Sequence, residues 1–131
     1  MVGIDTNILV RFLTQDDPAQ LPRVTHLIRH EAANGNPVLI SLLVLLETEW
    51  VLRSRYRLPK TATLGAFQGL LQSMELRLED ESTVEQALGD WRDCGADFAD
   101  CLISVRNRRL GCIGTMTFDR RALGAPGFMG A

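Results

Sequence analysis

The sequence predicts an α/β fold with a short, mainly parallel central sheet. Short apolar runs alternate with helical apolar stripes, and capping residues follow several of those runs. A third observation is chemical. Four carboxylates, Asp5, Glu47, Asp100 and Asp119, stand where apolar segments end or helices begin. At 131 residues, 46% of them hydrophobic, the chain suits one domain, 1–131, with a real core. No repeat, linker or low-complexity stretch divides it.

Val2–Ile4 reads as a short buried strand ending at Asp5, and Ile8, Leu9 and Phe12 then mark an apolar helical turn. Asp17-Pro18 is a helix start, with the acid as N-cap and proline at the first helical position. Leu21, Val24, Leu27 and Ile28 form its apolar stripe, and Asn34-Gly35 ends it. Val38–Ile40 is a second strand. Ser41 caps a helix predicted to run to about Arg57, before Leu58-Pro59. Thr61 or Thr63 opens another helix, with Leu64, Phe67, Leu71 and Met74 facing inward. Leu76–Leu78 is a third strand, and Ser82-Thr-Val-Glu85 has capping-box spacing before Val84, Leu88 and Trp91. A helix from about Asp97 to Leu110, a strand at Cys112–Thr115 and an irregular Gly-rich tail complete the reading.

The net charge of −2 argues against a protein that coats nucleic acid nonspecifically. The basic residues are thirteen Arg and one Lys, Lys60, which favours planar, bidentate phosphate contacts. Cys94, Cys101 and Cys112 are odd in number and lack C-x-x-C spacing. That argues for buried apolar packing in a reducing cytoplasm, without disulfides or a thiolate zinc site. The N-terminus shows no signal-peptide pattern, and the apolar run Val38–Leu46 is far short of the about 20 residues that span a bilayer.

In a parallel sheet, ligands bind beyond the carboxyl ends of the strands. Asp5 and Asp119 follow the first and last predicted strands. Glu47 and Asp100 lie within the first two turns of helices. Four like charges gathered there require a cation, and a hard oxygen-binding ion such as Mg²⁺ or Mn²⁺ fits. Each acid also has a plainer role: Asp5 as N-cap or Asx turn, Asp97 as N-cap with Asp100 on the helix dipole, Asp119 as cap of a short final helix. Glu47 is the most telling, because Leu43, Val44, Trp50 and Val51 surround it at helical spacing and predict an apolar face. Glu49 is expected to form a solvated pair with Arg53. Trp50 and Trp91 are expected in the core. His26 and His30 read as surface histidines. Arg53, Arg55 and Arg57, with Arg106, Arg108, Arg109, Arg120 and Arg121, read as solvated faces, the second set equally able to guide a phosphate backbone.

A strand running into Asp5-Thr-Asn7, the Ser41…Glu47 helix, Phe98-Ala-Asp100 opening a helix, and Thr115-Met-Thr-Phe-Asp119 together resemble the PIN domain. More closely, the chain resembles VapC-type toxins, the ribonuclease partners in VapBC toxin–antitoxin pairs. The resemblance spans essentially the full length. It implies a PIN-like three-layer α/β/α sandwich and a Mg²⁺-dependent endoribonuclease, with Mn²⁺ as substitute. It also implies an RNA substrate, a VapB-like antitoxin that blocks the site, and a homodimer. Carried over by position, Asp5, Glu47, Asp100 and Asp119 form the acidic metal site. Asp97 is accessory, and Asn7 and Thr117 orient carboxylates. Cys101, Ser104, Val105 and Arg106 depart from the small residues expected after the third acid.

The implied chemistry is one or two ions activating water for in-line attack, leaving a 5′-phosphate and a 3′-hydroxyl. Two other classes are weighed. An aspartyl-phosphate phosphotransferase needs Asp-x-Asp and a nearby lysine, whereas position 7 is Asn and Lys60 is remote from the motifs. A catalytically idle PIN-like module that binds RNA or protein is the remaining alternative. A triphosphate-binding loop is absent.

Overall fold

The computed structural model describes residues 1–131, which form two compact units, Met1–Glu79 and Asp80–Ala131. The first contains β1 (Val2–Gly3), α1 (Thr6–Thr14), α2 (Leu21–Ala33), β2 (Val38–Ile40), α3 (Leu42–Ser54), α4 (Lys60–Gln72) and β3 (Leu76–Leu78). The second contains α5 (Glu81–Asp93), α6 (Phe98–Arg109), β4 (Thr115–Thr117), a 3₁₀ turn at Ala122–Gly124 and β5 (Phe128–Gly130). Six helices and short, wholly parallel strands make the α/β class predicted.

In the first unit the strand order is β1-β2-β3, with Val2 opposite Val38 and Val38 opposite Leu76. The central strand carries the apolar residues Val38 and Ile40, both fully buried, with Leu45, Leu52 and Phe67 supplied by α3 and α4. Because β1 and β2 are parallel neighbours, their carboxyl ends emerge side by side. Asp5 leaves one and Ser41 leaves the other. Both act as N-caps, Asp5 Oδ1 accepting the Ile8 N–H at 3.0 Å and Ser41 Oγ that of Val44 at 3.3 Å. Glu79, just after β3, holds the same α3 terminus by accepting the Leu42 N–H at 2.9 Å.

The second unit packs α5 on α6 through Val84, Leu88, Trp91, Phe98, Leu102 and Val105, all buried. Trp91 lies against Phe98, ring centroids 5.3 Å apart. Three of the four residues that depart from the expected small ones are core here: Cys101, Ser104 and Val105 are buried, whereas Arg106 is half-buried. Ser104 Oγ donates to the Pro126 carbonyl at 2.6 Å, and Gly127 (φ 87°) passes so close that a Cβ there would meet that Oγ at 2.5 Å. Only glycine fits.

Several boundaries differ from the sequence reading for local reasons. Asp17 caps a turn rather than a helix, accepting the Ala19 and Gln20 N–H groups at 3.1 and 3.2 Å. The helix then begins at Leu21, with Pro22 in its first turn. α3 stops at Ser54, and α4 begins at Lys60 after Pro59. α5 is capped by Asp80 in the left-handed region (φ 55°), two residues before the expected Ser82. The final parallel pair starts at Thr115 rather than Cys112, because Cys112 still donates to Asn107 at the end of α6. The tail is not irregular. It forms β5, paired from Thr115↔Phe128 to Thr117↔Gly130. Met74, expected inward, lies beyond the end of α4 and is 94% exposed, while Leu70 is the last buried residue of that helix. Of the cysteines, Cys101 is buried, Cys94 half-buried and Cys112 exposed, so the packing expectation fails for Cys112. All three are free thiols.

Candidate active site

The acids fall into two sets, one in each unit. In the first, Asp5 is the N-cap of α1 and Glu47 lies in the second turn of α3. Thr6, the residue after Asp5, donates its hydroxyl to Glu47 Oε1 and so ties the two elements together. Both carboxylates line a groove of about 660 Å³ shared with Asn7, Trp50, Arg55 and Tyr56. Asn7 is exposed there, and the group that hydrogen-bonds Glu47 is Thr6.

Two expectations on α3 are reversed. Glu47 was expected on an apolar, buried face and Glu49 in solvent, but Glu47 is exposed and Glu49 is 3% exposed. The inward face of α3 is Leu45, Thr48, Glu49 and Leu52, a spacing that skips Leu43 and Trp50. Trp50 was therefore wrongly assigned to the core; it is 51% exposed, one turn beyond Glu47. Glu49 reaches Arg53 Nε at 3.0 Å, as its spacing predicts, but from a buried position. At the end of α3, Tyr56 donates to Asp16 Oδ2 at 2.7 Å and Arg11 donates to the Tyr56 hydroxyl at 3.1 Å and to Asp16 Oδ1 at 3.2 Å. The Tyr56 hydroxyl, with help from Thr14, holds the Asp16 carboxyl below its ordinary range.

In the second unit Asp97 is the N-cap of α6, and its N–H donates to Asp100 Oδ2 at 3.2 Å. Asp119 is held by Thr117, whose Oγ1 accepts the Asp119 N–H at 2.9 Å, while Asp119 Oδ1 accepts the Arg121 N–H at 2.9 Å. Arg121 pairs with Asp97 at 3.8 Å. Partial burial raises the Asp100 pKa. The Asp97 N–H opposes that shift, Asp97 and Asp119 add to it by like-charge repulsion, and Arg121 offsets part of it. This is a crowded set of acids with one arginine among them. Thr6 was given no role from the sequence, and Arg121 was read there as part of a solvated or phosphate-guiding set rather than as a partner of Asp97.

Three other arginines of this unit have structural partners. Arg106 pairs with Asp80 at 3.8 Å, Arg108 with Asp90 at 3.6 Å, and Arg109 donates to Ser82 at 2.9 Å. His26 and His30 are exposed and stack on each other at 5.9 Å.

All four acids have donor chemistry suited to a hard divalent cation. In each, one oxygen accepts a hydrogen bond that fixes the carboxylate: Asp5 from Ile8, Glu47 from Thr6, Asp100 from Asp97 and Asp119 from Arg121. The other oxygen of each accepts none. Neither unit by itself brings three His, Cys, Asp or Glu side chains close enough to hold an ion. No helix is long and apolar enough to cross a membrane.

The profile of the PIN domain matches residues 2–126, nearly the entire chain. No curated protein matches it.

Proposed function

The chain belongs to the PIN domain family, a nuclease fold whose members typically use divalent metals, and from that premise we propose that it is a Mg²⁺-dependent endoribonuclease. The observation that carries the proposal is the shared state of Asp5, Glu47, Asp100 and Asp119. Each has one oxygen anchored by a hydrogen bond and one left available. Anchoring fixes the direction of the lone pairs before a ligand arrives, which is what a preorganised cation site requires.

In this reading residues 1–131 act as one domain, and Asp5, Glu47, Asp100 and Asp119 are the ligands offered to Mg²⁺, or Mn²⁺ in its place. When bound, the cation supplies Lewis acidity and an activated water for phosphodiester hydrolysis. Thr6 fixes Glu47, Thr117 fixes the backbone at Asp119, and Asp97 with Arg121 sets the charge around Asp100. Asn7, exposed in the groove beside Asp5, is assigned a carboxylate-orienting role. No histidine or lysine stands among these acids, which suits a nucleophile generated without a side-chain base.

We further assign the chain to the VapC-type toxins, acting in the cytoplasm on RNA as a homodimer and restrained by a VapB-like antitoxin. The order and spacing of the four acidic motifs supports this. The test is cleavage of a labelled total-RNA pool by antitoxin-free protein in Mg²⁺, Mn²⁺ or EDTA, beside Asp5→Asn. Discrete fragments that require metal and vanish in the variant are expected. Undiminished cleavage in EDTA would refute the metal mechanism. A folded protein that binds RNA or a partner but never cuts would instead be a catalytically idle module.

A further inference from the structure

The groove that holds Asp5 and Glu47 also exposes side chains that the hydrolytic chemistry does not use. Trp50 lies three residues after Glu47, on the same face of α3, and half its surface is open. Tyr56 borders the same groove, its ring fixed by the bonds of its hydroxyl to Asp16 and Arg11. Arg11 is engaged by Asp16, Tyr56 and Gln20. Arg55 is different: it lines the groove, is exposed, and has no carboxylate partner.

We propose that Trp50 is a stacking platform for a base of single-stranded RNA beside the Asp5–Glu47 pair, with Arg55 holding a neighbouring phosphate. The proposal rests on the reading of this groove as the RNA-cleaving site and names its substrate class and a positioning contact. Indole offers a broad π-face to any base, and an unpaired guanidinium takes a phosphate bidentately. The volume, about 660 Å³, is within the usual range for ligand clefts, roughly 300–1,000 Å³. The walls around Trp50 are mixed: Asp5, Glu47 and Arg55 are charged, and Val10, Val44 and Val51 are apolar. An apolar peptide anchor prefers a dry pocket, whereas a flat base carrying its phosphate suits this mixed lining.

Intrinsic fluorescence tests the platform directly. The chain has two tryptophans, and Trp91 is 5% exposed within the second unit's core. The full chain is titrated with single-stranded oligouridylate and oligoadenylate in Ca²⁺, with fluorescence anisotropy of labelled RNA as a second readout. Saturable quenching is expected in the native chain and not in Trp50→Phe, which keeps a stacking ring and near-native affinity. Trp50→Ala should bind roughly 10- to 100-fold more weakly. Arg55→Gln should weaken binding and flatten its salt dependence. Trp50 is half exposed, so its variants should keep the native denaturation midpoint.

RNA binding with silent Trp50 emission and an unaffected Trp50→Ala would overturn the platform, as would absence of RNA binding. Trp50 emission that responds only to protein concentration, or only to a protein partner, would assign the groove to that contact instead. The two readings separate cleanly. Trp50 quenching without any cleavage in Mg²⁺ supports the platform and sinks the nuclease, whereas cleavage with silent Trp50 does the reverse.

Discussion

The two acidic sets of this chain are built on opposite electrostatic principles. Asp5 and Glu47 stand open to solvent, joined by the Thr6 hydroxyl, with their charges hydrated. Asp97, Asp100 and Asp119 stand close enough to repel one another, and Asp100 is buried enough that its charged form is disfavoured. Without a cation the first set is comfortable and the second is frustrated. A divalent ion would therefore change the first set little and relieve the second.

The largest expected effect comes from removing one acid from each set. Asp5→Asn and Asp100→Asn should each lower metal-dependent cleavage by at least about 100-fold, since even residues that only orient metal ligands are worth 10- to 100-fold. The variants should part in stability. Asparagine caps helices as well as aspartate, so Asp5→Asn should leave the melting temperature of metal-free protein unchanged. Asp100→Asn should raise it. A carboxylate whose folded pKa is raised favours the fold most below its unfolded pKa, and that contribution fades as pH rises through the raised value. At neutral pH the asparagine variant is free of this loss. Added Mg²⁺ should reverse the ranking, stabilising the native chain more than Asp100→Asn. Equal melting temperatures with and without metal would break the comparison.

The same contrast sets the pH dependence. As pH falls, Asp100 takes up its proton earlier than an ordinary aspartate, because burial and its acidic neighbours raise its pKa. Metal affinity, followed by calorimetry, should begin to fall there. In Asp100→Asn that early step should be missing.

How much of this was legible in the sequence follows from what each signal measures. The strands of the first unit and most helices were readable, because β-branched and aliphatic runs at Val38–Ile40 and Leu76–Leu78 leave few alternatives to burial. Asp5, Asp100 and Asp119 were chosen as candidates by their position after strands and at helix starts, which reflects local backbone geometry. The orientation of α3 was not readable. Leu42 to Leu46 is apolar all round, so periodicity could not tell the Leu45/Thr48/Glu49/Leu52 face from the Leu43/Glu47/Trp50 face. Tertiary packing made that choice, and it inverted the environments expected for Glu47, Glu49 and Trp50. β5 escaped notice because Phe128–Gly130 is short and Gly-rich; its strand character comes from pairing with β4.

A middle-sized effect sharpens the comparison within the first set. Thr6→Val keeps the β-branched shape and removes the hydroxyl that anchors Glu47. Cleavage should fall about 10-fold, with the unfolding free energy within about 0.5 kcal/mol of native. A loss as large as that of Asp5→Asn would mean Thr6 does more than orient.

The smallest effect compares the helix caps of the two units. Asp5 caps α1 from extended backbone, whereas Asp80 caps α5 from the left-handed region at φ 55°. Asp80 accepts from the Thr83 hydroxyl at 2.5 Å and from its N–H at 3.4 Å. Those bonds, the hydroxyl first, hold its pKa below the ordinary value, with weaker help from Arg109 and Arg106. This lowered pKa gives stability that is fully present above the unfolded carboxylate pKa and is lost as pH falls through the lowered one, opposite in sign to Asp100. Asp80→Ala should cost about 1 kcal/mol for the cap, and slightly more because alanine tolerates φ > 0 poorly. Asp80→Asn, which both caps and accepts the left-handed region, should stay near native at neutral pH but lose the acid-dependent part. Asp80→Gly should fall between them, since glycine removes the strain and not the missing acceptor. Denaturant titrations at neutral pH and near pH 3 order the three variants. An alanine variant as stable as the asparagine one would show that the left-handed cap contributes nothing to this helix.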